Sequence, residues 1–149
     1  MTVVKPYRTP TDSLMELQKK AFELYAFALG KIEKDGILAK HSRYILRHIE
    51  NHFYKVCTLI DDANRRDLYD EFKIRAELQN QARSHLANAR TSVYCAYYQK
   101  HFKGKSMLYW DRLIDEVDRM LVGWMKSDRM RQSNFQKTIS DGKSENGCG

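Results

Sequence analysis

The stretch Trp110-Asp111-Arg112-Leu113-Ile114-Asp115-Glu116-Val117-Asp118-Arg119-Met120-Leu121-Val122-Gly123-Trp124 decides the fold class. Trp110, Leu113, Val117, Met120 and Trp124 recur every three or four residues, with Ile114 and Leu121 beside them. That interval places them on one face of an α-helix, because 3.6 residues complete a turn. Asp111, Asp115 and Asp118 form a second, acidic stripe, with Arg112 and Arg119 next to it. Ser106 is a suitable N-cap for this helix. Gly123 interrupts a run of good helix formers and reads as a point where a neighbouring helix comes close.

Working outward, Lys103-Gly104-Lys105 separates this helix from a long stretch over residues 67–102. Its seam is Leu68, Phe72, Gln79, Ala82, Leu86, Ala89, Val93 and Ala96. At 1.5 Å per residue it spans roughly 50 Å. The alanines and Gln79 make the seam thin, which suits close helix packing or partly polar contacts. Asn64-Arg65-Arg66 divides it from a stretch over residues 37–62 with a stripe of Leu38, Ile45, Ile49, Val56 and Ile60, flanked by Phe53 and Leu59. Before Asp35-Gly36 lies the first stretch, where Leu14, Leu17, Ala21, Leu24, Ala28 and Ile32 share a face and Ser13 with Glu16 has capping-box spacing. Both prolines, Pro6 and Pro10, precede Thr11, so no missing amide breaks the helices that follow. Four amphipathic stretches with short connections predict an all-α fold, an antiparallel up-down four-helix bundle. The expected bundle covers residues 11–127, with a flexible N-terminus at 1–10. The Ser-, Asn-, Gly- and Lys-rich residues 128–149 read as a disordered C-terminal tail.

The chain has 149 residues, one domain by length, with 42% hydrophobic residues to build a core. Lys and Arg total 26 against 19 Asp and Glu, a formal charge of +7. Such an excess favours polyanionic partners. No apolar run approaches the roughly 20 residues of a membrane span, and residues 1–10 lack the apolar core of a signal peptide. Three separated cysteines, Cys57, Cys95 and Cys148, fit free thiols and a cytoplasmic location, with Cys57 and Cys95 read as small buried hydrophobes.

The basic residues cluster. Lys40, Arg43 and Arg47 share a face of the second helix; Arg66 with Lys73, and Arg83 with Arg90, are heptad-spaced; Lys100, Lys103 and Lys105 crowd the following turn. Guanidinium forks grip phosphate bidentately, so the ensemble is a candidate surface for RNA, DNA or a polymerase. Tyr94, Tyr97, Tyr98, His101 and Phe102 lie nearby and suit either base stacking or packing at a bundle end. Asp111, Asp115, Asp118 and Trp124 are candidates for subunit contacts, since an acidic stripe can dock on a basic face in the same or a neighbouring subunit. His41, His48 and His52 form a stripe continued by Lys55, and His48 with His52 has chelating spacing. No third ligand is evident, so no metal is assigned. Phosphate-binding loops, nucleophile elbows and dinucleotide fingerprints are absent from the sequence, so neither catalysis nor a cofactor is expected.

The segment from Leu113 to Ser127, with an acidic residue before a β-branched one, then Arg119, two apolar residues and the Gly123-Trp124 ending, resembles the final helix of the accessory variability determinant (Avd) family of diversity-generating retroelements. The long helix bearing Arg83 and Arg90 is similar to that family's third helix. The resemblance covers roughly residues 14–127. It extends to the related four-helix proteins encoded in intervening sequences of bacterial large-subunit ribosomal RNA genes. It implies a noncatalytic bundle that assembles as a barrel-like homopentamer and binds a reverse transcriptase and nucleic acid. Its role would be to support error-prone copying of template RNA into complementary DNA for mutagenic homing. The family pairs two arginines four residues apart on that helix. Here Arg90 matches the first, Tyr94 stands at the second, and Arg83 is a counterpart in another register.

Overall fold

The computed structural model describes residues 15–34, 40–99 and 103–146, with side chains at 15–30, 44–99 and 103–142. The Ser13 cap, residues 1–10, the side chains of Lys40, His41 and Arg43, and Lys100, His101, Phe102 and Cys148 lie outside them. Four helices follow in order: α1 Glu16–Lys34, α2 Lys40–Arg65, α3 Phe72–Tyr98 and α4 Gly104–Asn146. Each helix packs on its neighbours in the cycle α1–α2–α3–α4–α1, with no diagonal pairing among the described residues. Cross-helix contacts fix the directions. Arg90, Arg83 and Arg75 descend α3 as their partners Asp111, Asp118 and Asp128 ascend α4. Likewise Lys20 meets Glu116 while Phe27 meets Tyr109. Neighbours therefore run antiparallel, as short connections require.

The seams expected from periodicity are the ones that fill the core. Leu17, Ala21, Leu24 and Ala28 of α1 pack against Ile49, Phe53, Val56 and Ile60 of α2, with Ala82, Leu86, Ala89 and Val93 from α3. In α4 the buried line is Trp110, Ile114, Val117 and Leu121, with Leu113, Met120 and Trp124 only partly covered. The stripe is thus centred one position later than the sequence reading placed it, because α4 must face both α3 and α1. Trp110 is fully buried, stacked on Phe53 at 5.6 Å and edge-on to Phe27 at 5.0 Å. One further sequence assignment changes. Cys95 is exposed rather than buried, whereas Cys57 is buried and its thiol reaches the Ala21 carbonyl at 3.3 Å. Burial pushes that thiol up to about 12, so it stays protonated and inert.

Helix boundaries follow local hydrogen bonding. At the start of α1, Gln18 Oε1 accepts from the Met15 amide at 3.0 Å, which is the back-reaching half of a capping box. The α2–α3 turn is held by Asp67, whose Oδ1 accepts from the amides of Tyr69 and Asp70, each at 2.8 Å. The Asp70 and Tyr69 amides hold the Asp67 carboxyl below its ordinary range. Asp67 therefore organises the turn, and α3 begins at Phe72.

The largest departure is at the C-terminus. Residues 128–146 are helical, where their polar composition predicts a disordered tail. Two features account for this. A helix already nucleated propagates at the cost of one residue per hydrogen bond. In addition, the seam spacing continues through Trp124, Asp128, Gln132, Phe135 and Ile139. Phe135 lies on the Tyr69 ring at 4.4 Å, level with the α2–α3 turn, so α4 projects past the other helices beyond that point. Gly123 also departs from its expected role: it is exposed, and a Cβ built there meets nothing within 4 Å. With helical backbone and open space, Gly123→Ala should stabilise the protein by about 0.5–1 kcal/mol, read as a raised urea midpoint at unchanged m-value.

Candidate polyanion-binding surface

The structure divides the basic candidates into those consumed by internal ion pairs and those left free. Arg83 grips Asp118 with two bonds, Nε to Oδ1 at 2.9 Å and Nη2 to Oδ2 at 3.3 Å. Arg90 Nε lies 3.1 Å from Asp111 Oδ1 without the alignment of a hydrogen bond, and its Nη2 is 3.8 Å from Asp115. Tyr94 donates to the same Asp111 oxygen at 2.7 Å. Arg119 reaches Asp115 one turn away at 3.3 Å. The acidic stripe of α4 thus docks on the arginines of α3 within one chain. A phosphate approaching Arg83 or Arg90 must displace a carboxylate, which removes most of their value for a polyanion. Arg66 is similarly engaged by Asp62 at 3.5 Å and Glu71 at 3.1 Å.

Deeper between the same helices is a buried ion pair that sequence reasoning missed. Arg75 and Asp128 are 8% and 1% exposed. Arg75 donates from Nε at 2.7 Å and from Nη2 at 3.0 Å to the two carboxylate oxygens. Gln79 donates to the same carboxylate at 2.8 Å, and Arg75 Nη1 reaches the Arg66 carbonyl at 3.1 Å. The Trp124 ring covers the guanidinium, 5.0 Å from centroid to Cζ. Trp124 is therefore a partner of Arg75. The signal was present: Arg75 occupies the seam slot between Phe72 and Gln79, a place where a charge has to find a partner.

Arg47, Lys73, Lys103 and Lys105 are exposed and make no ion pair with a described residue. Four more such cations lie on α4: Lys126 at the end of the expected bundle, and Arg129, Arg131 and Lys137 on the part read as a tail. Lys126, Arg129 and Lys137 stand at i, i+3 and i+11, on the side of α4 turned away from the buried Asp128. Residues 129–140 contain no carboxylate, and Asp128 is already occupied by Arg75. Arg129 and Lys73 face a shared groove of about 730 Å³ between α4 and the start of α3, lined also by Tyr69, Phe72, Gln132 and Gln136. Asp70 and Glu71 line the groove as well, with Glu71 engaged by Arg66. Arg129 at the groove, Lys73 across it, and Lys126 and Lys137 on the outer side of α4 thus form a group of exposed cations around the start of α3 and the projecting end of α4. At the opposite end of the bundle, Lys105 and Arg112 line a smaller groove, with Arg112 over the Tyr109 ring at 5.1 Å.

A separate cluster sits on the α2–α3 face. His52 and His85 approach Nδ1 to Nδ1 at 3.1 Å, and the His48 ring lies edge-on to His52 at 4.8 Å between centroids. His85 was not part of the sequence stripe; α3 brings it to the place of the missing neighbour. Burial, then His48 and His85, holds His52 below the ordinary 6.5, while burial and then Lys55 lower His85. Folded imidazoles that resist protonation take up fewer protons than the unfolded chain. Stability from this face is fully present above about pH 6.5 and is lost as pH falls from there through the lowered folded values. Urea midpoints should therefore drop between about pH 7 and 5, and His52→Gln should flatten that slope. Among the described residues no three His, Cys, Asp or Glu side chains stand ready to hold a metal ion. No helix of the described residues is long and apolar enough to cross a membrane. Family models, curated proteins and solved structures were compared with the chain, and none matches it.

Proposed function

We propose that the protein is a noncatalytic binding subunit that holds RNA or single-stranded DNA against the free basic face of α4 and the start of α3. The observation that carries this reading is the separation of charges. Asp111, Asp118 and Asp128 of α4 are spent on α3, whereas Lys73, Lys126, Arg129 and Lys137 make no ion pair with a described carboxylate. Cations in that state carry displaceable counterions, and their release on binding a nucleic-acid strand drives association. The exposed Tyr69 and Phe135 rings beside them offer apolar faces to unpaired bases.

The resemblance of residues 113–127 to the Avd family supports a more specific role: an accessory subunit of a diversity-generating retroelement. In that role it would engage the reverse transcriptase and its template RNA and complementary DNA as a homopentamer. A second reading, a bundle that serves oligomerisation or protein contacts without nucleic acid, is favoured by the exposed Met130, Phe135 and Ile139 on α4. Fluorescence anisotropy with a labelled single-stranded RNA separates the two. With four phosphate contacts, log Kd should change with log salt at a slope of about 3. Absence of binding at low salt, together with failure to capture a reverse transcriptase encoded beside the gene, would establish the second reading.

A further inference from the structure

We infer that His52 and His85, joined by His48, form a binding site for a divalent transition-metal ion of the zinc or nickel class. The two Nδ1 atoms face each other from different helices at 3.1 Å. With metal–imidazole bonds of about 2.05 Å, an edge of that length subtends about 100° at the metal, between octahedral and tetrahedral values. In the free protein one ring must donate its Nδ1 hydrogen to the other. A metal instead accepts both lone pairs, and the displaced proton moves to the outer ring nitrogen of the donor. The pair is fixed on the backbone side, since α2 and α3 form the most extensive helix contact of the bundle.

His48 supplies the third position. It precedes His52 by four residues, the spacing at which two histidines on one helix chelate a metal. Its exposed ring stands edge-on to His52 and does not yet converge with the other two nitrogens. Closing the site takes a rotation of the exposed His48 side chain toward the other two rings, and water completes the coordination. Burial disfavours the protonated form of His52 and His85, and no described carboxylate is bound to them, so no ion pair has to be displaced. Lys55 is the one described cation acting on His85, and its exposed ammonium can move away into water.

The test uses the full chain without an affinity tag, with Cys95→Ser and Cys148→Ser so that thiols do not compete. Calorimetric titration with zinc chloride, and separately nickel chloride, is run at about pH 7.5, above the range where an ordinary imidazole protonates. One equivalent per chain should bind, and the melting temperature should rise by several degrees at about a hundredfold excess over Kd. His85→Gln keeps a hydrogen-bonding partner for His52 but removes the metal ligand, and should weaken binding at least tenfold; His48→Ala should weaken it similarly. In the unmutated histidine background, nitrogen-15 spectra should show the Nδ1 resonances of His52 and His85 shifting on zinc addition. Absence of stoichiometric binding, a His85→Gln titration that superimposes on its parent, or unmoved Nδ1 resonances would each overturn the site. None of these readouts depends on nucleic-acid binding.

Discussion

Asp128→Ala should lower the unfolding free energy by about 3–5 kcal/mol, because it leaves the Arg75 guanidinium buried without its counter-charge. In a chain of this length that corresponds to a fall in melting temperature of roughly 10–15 °C. Arg75 donates twice to the carboxylate and Gln79 once, so the substitution orphans three donors in a site nearly closed to water. The cost should persist at high salt, since a pair this deep is poorly screened. Asp118→Ala provides the comparison. Its bidentate pair with Arg83 is 44% and 27% exposed, and its loss should cost less than about 1 kcal/mol. Replacing both partners, Arg75→Met with Asp128→Leu, should recover part of the loss by removing the unpaired charge. Recovery stays partial because the Gln79 amide and the Arg66 carbonyl lose their partners. An Asp128→Ala variant as stable as its parent would mean that α4 does not dock on α3 at this level.

The same pair explains how far the fold was legible in the sequence. The helices, their order and most of their core faces follow from the spacing of apolar residues. Ala82, Leu86, Ala89 and Val93 are buried as the period requires. Periodicity weighs apolar residues only, so it lost α4 where the seam passes from Trp124 to Asp128 and Gln132. Asp128 occupies an inward position because α3 offers Arg75 and Gln79 opposite it, a fact that depends on how two helices align. The ion pairs between α3 and α4 were illegible for a related reason. Arg83 and Arg90 are conspicuous along α3, yet their charge is cancelled by Asp118, Asp111 and Asp115 from another helix. His85 illustrates the converse: alone on α3 in sequence, it becomes a partner of His52 only when α2 and α3 pack together.

Reversing three charges on the free face, Lys126→Glu with Arg129→Glu and Lys137→Glu, should weaken single-stranded RNA binding about a hundredfold near physiological salt. Each lost phosphate contact also removes about 0.7 from the salt slope, so the slope should fall by about 2. The three side chains are exposed and unpaired among the described residues, so folding should be nearly unaffected. An unchanged melting temperature would therefore assign the loss to the surface itself. Arg83→Ala with Arg90→Ala is the opposing variant. It removes two cations of the chain as well, but ones already matched by carboxylates, so the local potential on the α4 face is preserved. Its RNA affinity should fall only a few-fold, through net charge and at long range, while its melting temperature drops. The reverse pattern, a silent triple reversal and an α3 double variant that abolishes binding, would move the interface to α3. It would mean that nucleic acid opens the Arg83–Asp118 and Arg90–Asp111 pairs and takes the place of the carboxylates.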